Sequence, residues 1–495
     1  MKTRLAPSAF LARRQLLLAA PAAVLLAGCA VGPRYVPPAD AAPMAFKEAP
    51  AVAGWLPATP GDTLDKGPWW KRFDDAQLDA LAERVQVNNQ NIAVAVAAYS
   101  QAQALVREQR ASLLPSLTAS GSGRRSGPVR SNSGTSPSNS FSAGLTASWD
   151  ADLWGRLRLS VESASASAQA SQADLAAARL SATGALATNY LQLRATDAEI
   201  ALLDRTLEGY ERSLTITRNR YQAGIAAQTD VLQAQTQLVS ARSDRAGLVR
   251  DRAVLEHAIA VLVGVAPADF RIAPQADWLP VVPAVPLSLP AELLQRRPDI
   301  AAAERAMARA NAQIGIARSA YFPSLNLTAS VTGSASRVGD LFNASNLLWA
   351  LGLSAAQTVF DGGAIAAQVD AAGATYQGAV ASYRQTVLTA FQAVEDQLSN
   401  AAAQAEQAVL LRQASEAADL TEQQILNRYR AGQVNYTDVV TAQASALSAR
   451  RSLLNAQLSR QASAVALIQA LGGGWEADWL RTPVAAPSAL PGATR

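Results

Sequence analysis

The sequence is poor in the side chains on which most enzymes and disulfide-stabilised proteins depend. Among its 495 residues there are one cysteine, Cys29, and one histidine, His257, and aromatic residues make up 6%. A single cysteine excludes an intramolecular disulfide framework, and no Cys/His set has the spacing of a zinc site. Serine is abundant, but no nucleophile–base pair can be built on a lone histidine inside a helical tract. We therefore expect no catalytic residues, no metal site and no cofactor.

Proline is absent from two long tracts of the chain. None occurs between Pro137 and Pro267 or between Pro323 and Pro483, and these tracts are rich in Ala, Leu, Gln, Arg and Glu. Because proline interrupts helices and these residues favour them, the tracts predict unusually long helices. The longer ones, of about 68 residues, would extend about 100 Å. The predicted helices cover residues 76–112, 155–222, 229–263, 291–320, 363–430 and 437–471.

The chain also lacks the run of about 20 apolar residues that a membrane-spanning helix needs. Its most apolar stretch, LLLAAPAAVLLAGC at residues 16–29, follows four basic residues and ends in Leu-Ala-Gly-Cys. This ending resembles the lipobox of bacterial lipoproteins, in which residues 1–28 are removed and Cys29 becomes lipidated. The alternative is an ordinary secretory signal that contains a cysteine. Arg13-Arg14 leaves Sec and twin-arginine export both open.

The positive charge belongs to that N-terminal segment. The whole chain carries 43 basic and 39 acidic residues, and the four extra basic residues all lie in residues 1–28. Without the signal the formal net charge is zero, so the composition gives no support for a nucleic-acid partner.

One stretch of the chain is written twice. NRYQAGIAAQTDVLQAQTQLVSAR at residues 219–242 recurs as NRYRAGQVNYTDVVTAQASALSAR at residues 427–450, with thirteen of 24 positions identical and an offset of 208. LLPSL and YFPSL, and GLTAS and GLSAA, share that offset, so we predict two halves of equal architecture. The expected segments are residues 29–75 at the N-terminus, 76–266 as the first repeat, 267–290 as a linker, 291–471 as the second repeat and 472–495 as a tail.

Short segments between the predicted helices alternate apolar and polar residues. The pattern is clear in residues 324–332 and 347–355 and weaker near 116–125 and 140–150. Such alternation is typical of a membrane barrel strand, and equally of a half-buried strand in a soluble sheet. Four strands cannot close a barrel, so a barrel that spans a membrane would need strands from more than one chain. Two chains would supply eight strands and three would supply twelve, both within the range of known barrels.

Several motifs together point to one family. They are CAVGPRYVPP (29–38), WWKRFDDAQLDAL (69–81), RRPDIAAAE (296–304), ARSAYFPSL (317–325), VFDGG (359–363) and both RY-x-AG repeats. In these motifs the chain resembles the outer-membrane factors, the TolC/OprM-like channels of tripartite efflux pumps, in their NodT-like lipoprotein branch. The resemblance implies an α+β membrane protein: a homotrimer with a twelve-stranded outer-membrane β-barrel, four strands per chain, continued by a twelve-helix periplasmic α-barrel. Ala30, after the lipidated cysteine, implies sorting to the outer membrane.

The duplicated stretch predicts two helix hairpins. Gly224 and Gly432 follow basic helix ends and can adopt the left-handed conformation that terminates a helix. Thr229 or Asp230 would then cap the returning helix. The resemblance implies that both hairpins form a periplasmic gate, with Tyr429 hydrogen-bonded to Asp230.

Two positions of the second hairpin depart from the family pattern. Val434 occupies the position of an arginine that family members use as a second link, and Thr441 occupies a position that is often acidic. Asp438 is retained, so an acidic ring would be a single layer.

These observations predict a passive exit duct for drugs or other small substrates. Gly121–Gly127 lacks the spacing of a dinucleotide-binding fingerprint and leads into a loop rather than a helix, and the sequence contains no phosphate-binding loop, so energy must come from partners. The resemblance supplies them: a periplasmic adaptor (membrane fusion) protein, an inner-membrane RND-type transporter and outer-membrane lipid. The alternatives are type I protein secretion or metal efflux through the same fold, and a lipid-anchored structural spacer without a pore.

Overall fold

The structure is a computed structural model that describes residues 31–37, 46–48, 68–129, 136–278, 280–283 and 297–473. Within these residues the chain forms seven α-helices and four β-strands. The helices are α1 (Ala76–Asn88), α2 (Gln90–Ala111), α3 (Arg156–Gln222), α4 (Gln228–Leu262), α5 (Pro298–Ser319), α6 (Ala364–Arg430) and α7 (Tyr436–Ala470). The strands are β1 (Ser116–Ser126), β2 (Ser138–Asp150), β3 (Ser324–Ala335) and β4 (Leu347–Ala356). Cys29 and Ala30 lie outside the described residues.

Five of the six predicted helices are confirmed with ends that differ by one or two residues, except that residues 291–296 lie outside the described residues. The prediction of one helix over residues 76–112 is wrong, because the helix is interrupted at Asn89. Asn89 has an extended backbone, and its side-chain oxygen accepts the N–H groups of Asn91 and Ile92 at 3.0 and 3.1 Å. It therefore caps the start of α2.

The break at Asn89 makes the two halves of the chain match in helix length. Helices α2 and α5 each have 22 residues, α3 and α6 each have 67, and α4 and α7 each have 35. The first residues of each pair are 208 positions apart, as are the aligned motifs of the sequence.

The four predicted strands are confirmed and form one antiparallel sheet in the order β1-β2-β3-β4. Ser116 pairs with Ser148 in β1–β2, and Ser324 pairs with Ala356 in β3–β4, so both hairpins keep the same register. Every residue of β1 and of β4 is exposed in the single chain. Within the described residues, these two strands each pair on one side only.

The chain divides by its internal contacts into two compact units. Unit 1 holds the four strands, and α2, α3, α5 and α6 contribute residues to both units. In unit 1 an N-terminal strap, residues 31–35, runs against α5. Val31 N–H donates to the carbonyl of Trp154 at 3.3 Å, and Tyr35 Oη donates to Glu304 Oε1 at 2.5 Å. No helix of the described residues combines the length and apolarity that crossing a membrane would require.

Unit 2 contains a buried ionic network that ties three segments together. The guanidinium of Arg194 is 2% exposed and donates to Asp197, at 3.1 Å, and to the backbone carbonyl of Ala273, at 2.9 Å. Asp197 also accepts from Arg252 at 2.5 Å. The network therefore holds the segment after α4 against α3 and α4. Elsewhere in unit 2, Trp69, Trp70 and Phe73 are buried, as expected for packing residues.

Candidate functional site: the paired hairpins

Both copies of the duplicated stretch form helix hairpins within unit 2. The first hairpin joins α3 to α4, and the second joins α6 to α7. Gly224 and Gly432 have φ values of +73° and +75°. The N–H groups of Ile225 and Gln433, one residue later, donate back to the helix over five residues, at 2.8 and 2.9 Å. This is the glycine-dependent helix ending that the position of each glycine predicts.

The returning helices begin differently from expectation. Helix α4 starts at Gln228, and its capping residue is Ala227, which makes no side-chain capping bond. The prediction that Thr229 or Asp230 caps this helix is therefore wrong, because both residues already lie inside its first turn. An acidic residue there still favours the positive end of the helix dipole.

The second hairpin uses its acidic residue for capping. The N–H of Asn435 donates to Oδ2 of Asp438 at 3.3 Å, although Asp438 is exposed. Thr441 is also exposed, and its hydroxyl donates to the carbonyl of Thr437 at 2.9 Å. In the single chain both residues therefore lie on the surface of α7.

A shared apolar core joins the two hairpins. The rings of Tyr429 and Tyr436 meet edge to face with centroids 5.3 Å apart, and they are 4% and 2% exposed. Burial raises the pKa of Tyr436 to about 12, and the charge of Asp230 contributes in the same direction. The buried members of the core come from four helices: Leu207, Tyr210, Leu214, Ala234, Leu238, Ala241, Tyr429, Tyr436 and Val439.

The hydroxyl of Tyr429 has a different partner from the one that the resemblance implied. It lies 3.4 Å from the hydroxyl of Thr217, a fully buried residue of α3. The expected hydrogen bond to Asp230 is not formed in the described chain. The reason is packing: the ring of Tyr429 is buried in the core, and its hydroxyl there lies beside that of Thr217 on α3.

Arg220 is the contact residue that the sequence did not single out. Its Nη1 donates to the backbone carbonyl of Tyr429 at 3.1 Å, and its guanidinium carbon lies 4.8 Å from the centre of the Tyr429 ring. Val434 packs against the apolar core. The sequence showed Arg220 only as one of several basic residues in a last helical turn, and nothing in that pattern identifies its partner.

Polar contacts continue between the hairpins away from the turns. Gln443 donates to the hydroxyl of Ser213 at 3.3 Å, and Arg451 lies 2.7 Å from Glu199. Beside them an open cavity of about 720 Å³ is lined by residues of α3, α6 and α7, including Glu422 and Arg450. Burial raises the pKa of the Glu422 carboxyl, while Arg450, at 2.8 Å, opposes that shift.

The chain belongs to the outer membrane efflux protein family. Residues 81–265 and 289–473 match that family separately, one match in each half. The chain is 32% identical over 469 residues to the pyoverdine export outer membrane protein OpmQ of Pseudomonas aeruginosa, covering 92% of this chain and 96% of that one. It is 31% identical to the cation efflux system protein CusC of Escherichia coli, covering 92% and 97%.

Solved structures agree with this assignment. The outer-membrane channel OprN superposes with a TM-score of 0.83 at 31% identity, covering 90% of this chain and all of that one. The open state of the Neisseria gonorrhoeae MtrE outer membrane channel superposes with a TM-score of 0.79 at 30% identity, covering 90% and 99%. The protein is thus an outer-membrane exit duct of an efflux system.

Proposed function

We propose that three copies of this chain assemble into one duct and conduct small substrates handed over by a periplasmic adaptor and an inner-membrane RND-type transporter. The observation that carries the proposal is the four-stranded sheet, whose outer strands β1 and β4 have free edges in the described chain. An open sheet edge in lipid leaves N–H and C=O groups unpaired, at a cost of several kcal/mol for each group. Pooling strands from three chains gives a closed twelve-stranded barrel.

The matched halves support the periplasmic part of the proposal. Each half supplies one helix of 67 residues, about 100 Å long at the usual rise. Each half also supplies two shorter helices, α2 with α4 and α5 with α7. If the two shorter helices of each half stack end to end, each chain supplies four helical columns, two made of a long helix and two made of a stacked pair. Three chains would then supply the twelve columns of the barrel. Duplication of one unit accounts for the constant offset of 208 between them.

We assign the gate of this duct to the paired hairpins. Gly224 and Gly432 form the two turns, and the residues proposed to govern closure are Thr229, Asp230, Tyr429, Asp438 and Thr441. In support, Tyr429 is buried in the core between the hairpins, and the charge of Asp230 acts on Tyr436 of that core, whereas Asp438 and Thr441 lie on an exposed face of α7. An exposed carboxylate repeated in three chains would form one acidic layer.

A covalent lipid on Cys29 is the proposed membrane anchor. The strap that follows it is held within unit 1, because Val31 N–H donates to the carbonyl of Trp154 and the side chain of Asn311 donates to the carbonyl of Pro33 at 2.9 Å. Trp154 also stacks on Phe322 with ring centroids 4.7 Å apart, close in sequence to the ends of β2 and β3. The strap would thus hold the lipid beside the strands.

Conductance of the purified full-length chain in planar lipid bilayers tests the function. We expect detergent-resistant trimers on a gel and small currents that rise when the gate is weakened by Tyr429→Phe, which removes the contact of Tyr429 with Thr217. A monomer that never conducts, in wild-type or gate-weakened form, would instead support a lipid-anchored spacer.

Substrate class needs a separate test. The relatives named above carry the names of pyoverdine export and of cation efflux, and other relatives those of toluene and antibiotic efflux pumps. We therefore propose that the inner-membrane partner sets the substrate. Identifying the co-transcribed transporter distinguishes drug efflux from metal efflux and from type I protein secretion.

A further inference from the structure

We propose that Arg220 is the residue that ties the two hairpins together in this chain, and so supplies the link that Val434 cannot. The proposal rests on the proposed gate function only for its effect on conduction. The tie itself is the contact between the end of α3 and the end of α6.

The first element of the tie is a hydrogen bond to a helix end. The carbonyl of Tyr429 lies in the last turn of α6 and accepts the N–H of Gly432 at 2.9 Å and Nη1 of Arg220 at 3.1 Å. A carbonyl oxygen has two lone pairs, so both bonds can form together. The negative end of the helix dipole further favours a cation at this place. A residue of the first hairpin therefore completes the helix ending of the second.

The second element is the contact of the guanidinium with an aromatic ring. The guanidinium carbon of Arg220 lies 4.8 Å from the centre of the Tyr429 ring, within the range of a cation–π contact. Tyr436 meets the same ring edge to face. The ring is thus held between Arg220 of the first hairpin and Tyr436 of the second. A planar guanidinium suits this combination of stacking and hydrogen bonding, whereas an ammonium does not.

Comparison of the two hairpins shows that the equivalent contact, between the arginine of the second hairpin and the tyrosine of the first, is not made in the described chain. Arg428 is the counterpart of Arg220, and Tyr221 is the counterpart of Tyr429, since each pair is 208 residues apart. Arg428 is exposed, and Tyr221 is 45% exposed, in contrast to the 4% of Tyr429. The same Arg-Tyr dipeptide therefore occurs in both hairpins, but the structure joins the arginine of the first to the tyrosine of the second.

The apolar surroundings of Val434 explain why this arrangement is needed. Val434 packs against the shared core and offers no charged group to the first hairpin. With Tyr429 bonded to Thr217 rather than Asp230, the contacts of Arg220 are the charged ones between the two turns in the described chain. Loss of Arg220 should therefore loosen the end of α6 relative to α3.

The experiment compares Arg220→Gln, Arg220→Lys and the matched control Arg428→Gln in the full-length protein. Hydrogen exchange is followed in the segment that contains Gly432 and Gln433, and closed-state conductance is recorded in planar bilayers. We expect exchange in that segment to accelerate about tenfold in Arg220→Gln, as local opening becomes easier, and to change little in Arg428→Gln. Arg220→Lys should accelerate exchange nearly as much. Closed-state conductance should rise several-fold only in the two Arg220 variants.

Each result decides a separate part of the proposal. Equal exchange in Arg220→Gln and Arg428→Gln would overturn the tie, whatever the conductance. If the wild-type channel conducts and the Arg220 variants show faster exchange but no rise in closed-state conductance, the role of Arg220 in closure is overturned. If no variant conducts, the proposed duct function fails, while the exchange data still decide whether Arg220 joins the hairpins.

Discussion

The hairpin glycines are the residues whose backbone conformation leaves the least choice of side chain. At Gly224 the space around a Cβ is open, so the cost of a side chain there comes from φ +73° alone. Residues other than glycine lose about 1–2 kcal/mol in the left-handed helical conformation. The glycine is thus required by the turn and not by crowding.

We predict that Gly224→Ala lowers the free energy of unfolding by about 1 kcal/mol. Gly247, inside α4, is the matched control, because nothing lies within 4 Å of its Cβ position and its φ is not positive. Gly247→Ala should stabilise the helix by about 1 kcal/mol. Denaturant unfolding in detergent measures both changes, and effects of the same sign would contradict the argument.

A second residue-scale prediction concerns the buried guanidinium of Arg194. Arg194→Met leaves Asp197 with Arg252 as its remaining cationic partner and removes the donors to Tyr190 and Ala273. Breaking a buried ion pair on one side costs about 3 kcal/mol or more. Arg250, 74% exposed and paired with Asp251, is the control, and Arg250→Met should cost less than about 0.5 kcal/mol. Equal losses for the two variants in denaturant unfolding would show that burial of the network contributes nothing.

At this scale the sequence predicted where polar and turn residues lie but not which ones meet. Tyr221 and Tyr429 have the same local context, N-R-Y-x-A-G, yet one is exposed and the other is buried. The difference arises from tertiary packing, since Tyr429 lies in the shared core against the ring of Tyr436, whose counterpart in the first hairpin is Gln228, whereas Tyr221 lies outside that core. Local sequence cannot reveal such a tertiary difference, and the misassigned partner of Tyr429 has the same cause.

At the scale of elements, the absence of proline and the offset of 208 were sufficient to predict the long helices. The alternation of residues was sufficient for the strands. The break at Asn89 was missed because asparagine occurs both inside helices and at caps, and the neighbouring residues favour a helix on both sides. Asn89 acts as a cap here because a tertiary hydrogen bond holds its side chain, with Nδ2 donating to the carbonyl of Leu262 at 2.8 Å.

We predict that Asn89→Ala destabilises the chain by about 2 kcal/mol, because it removes a helix cap and leaves the carbonyl of Leu262 without this donor. Asn88 precedes it and is exposed, so Asn88→Ala is the matched control and should change the free energy of unfolding by less than about 0.5 kcal/mol. Hydrogen exchange at the start of α2 should accelerate only in Asn89→Ala. Unchanged exchange there would show that the cap is dispensable.

At the scale of the whole molecule, the free edges of the sheet determine how copies of the chain can join. One residue beyond the end of β2, Ala151 N–H donates to the carbonyl of Leu325 at 2.9 Å, which continues the β2–β3 register by one pair. Hydrogen-bonded and non-bonded pairs alternate along antiparallel strands. The backbone N–H groups of odd-numbered β2 residues therefore point towards β3, and those of even-numbered residues point towards β1. It follows from the β1–β2 register that odd-numbered residues of β1, such as Ala119 opposite Leu145, direct their N–H groups away from β2.

These outward N–H groups are the ones that a neighbouring chain would bind, so proline at such a position should disturb assembly more than folding. Ala119→Pro removes one outward donor and places a ring at the edge, yet it breaks no β1–β2 bond, because proline is tolerated at strand edges. We predict that Ala119→Pro lowers the temperature at which detergent-resistant trimers dissociate, while the α-helical circular dichroism of the protein is retained. Ala119→Gly keeps the N–H and should leave the trimer band close to wild type. Ser120→Pro removes an inward donor and should reduce the yield of folded protein as well. If Ala119→Pro and Ala119→Gly give equally stable trimers, the chains do not associate through the edge of β1, and the twelve-stranded closure would have to be abandoned.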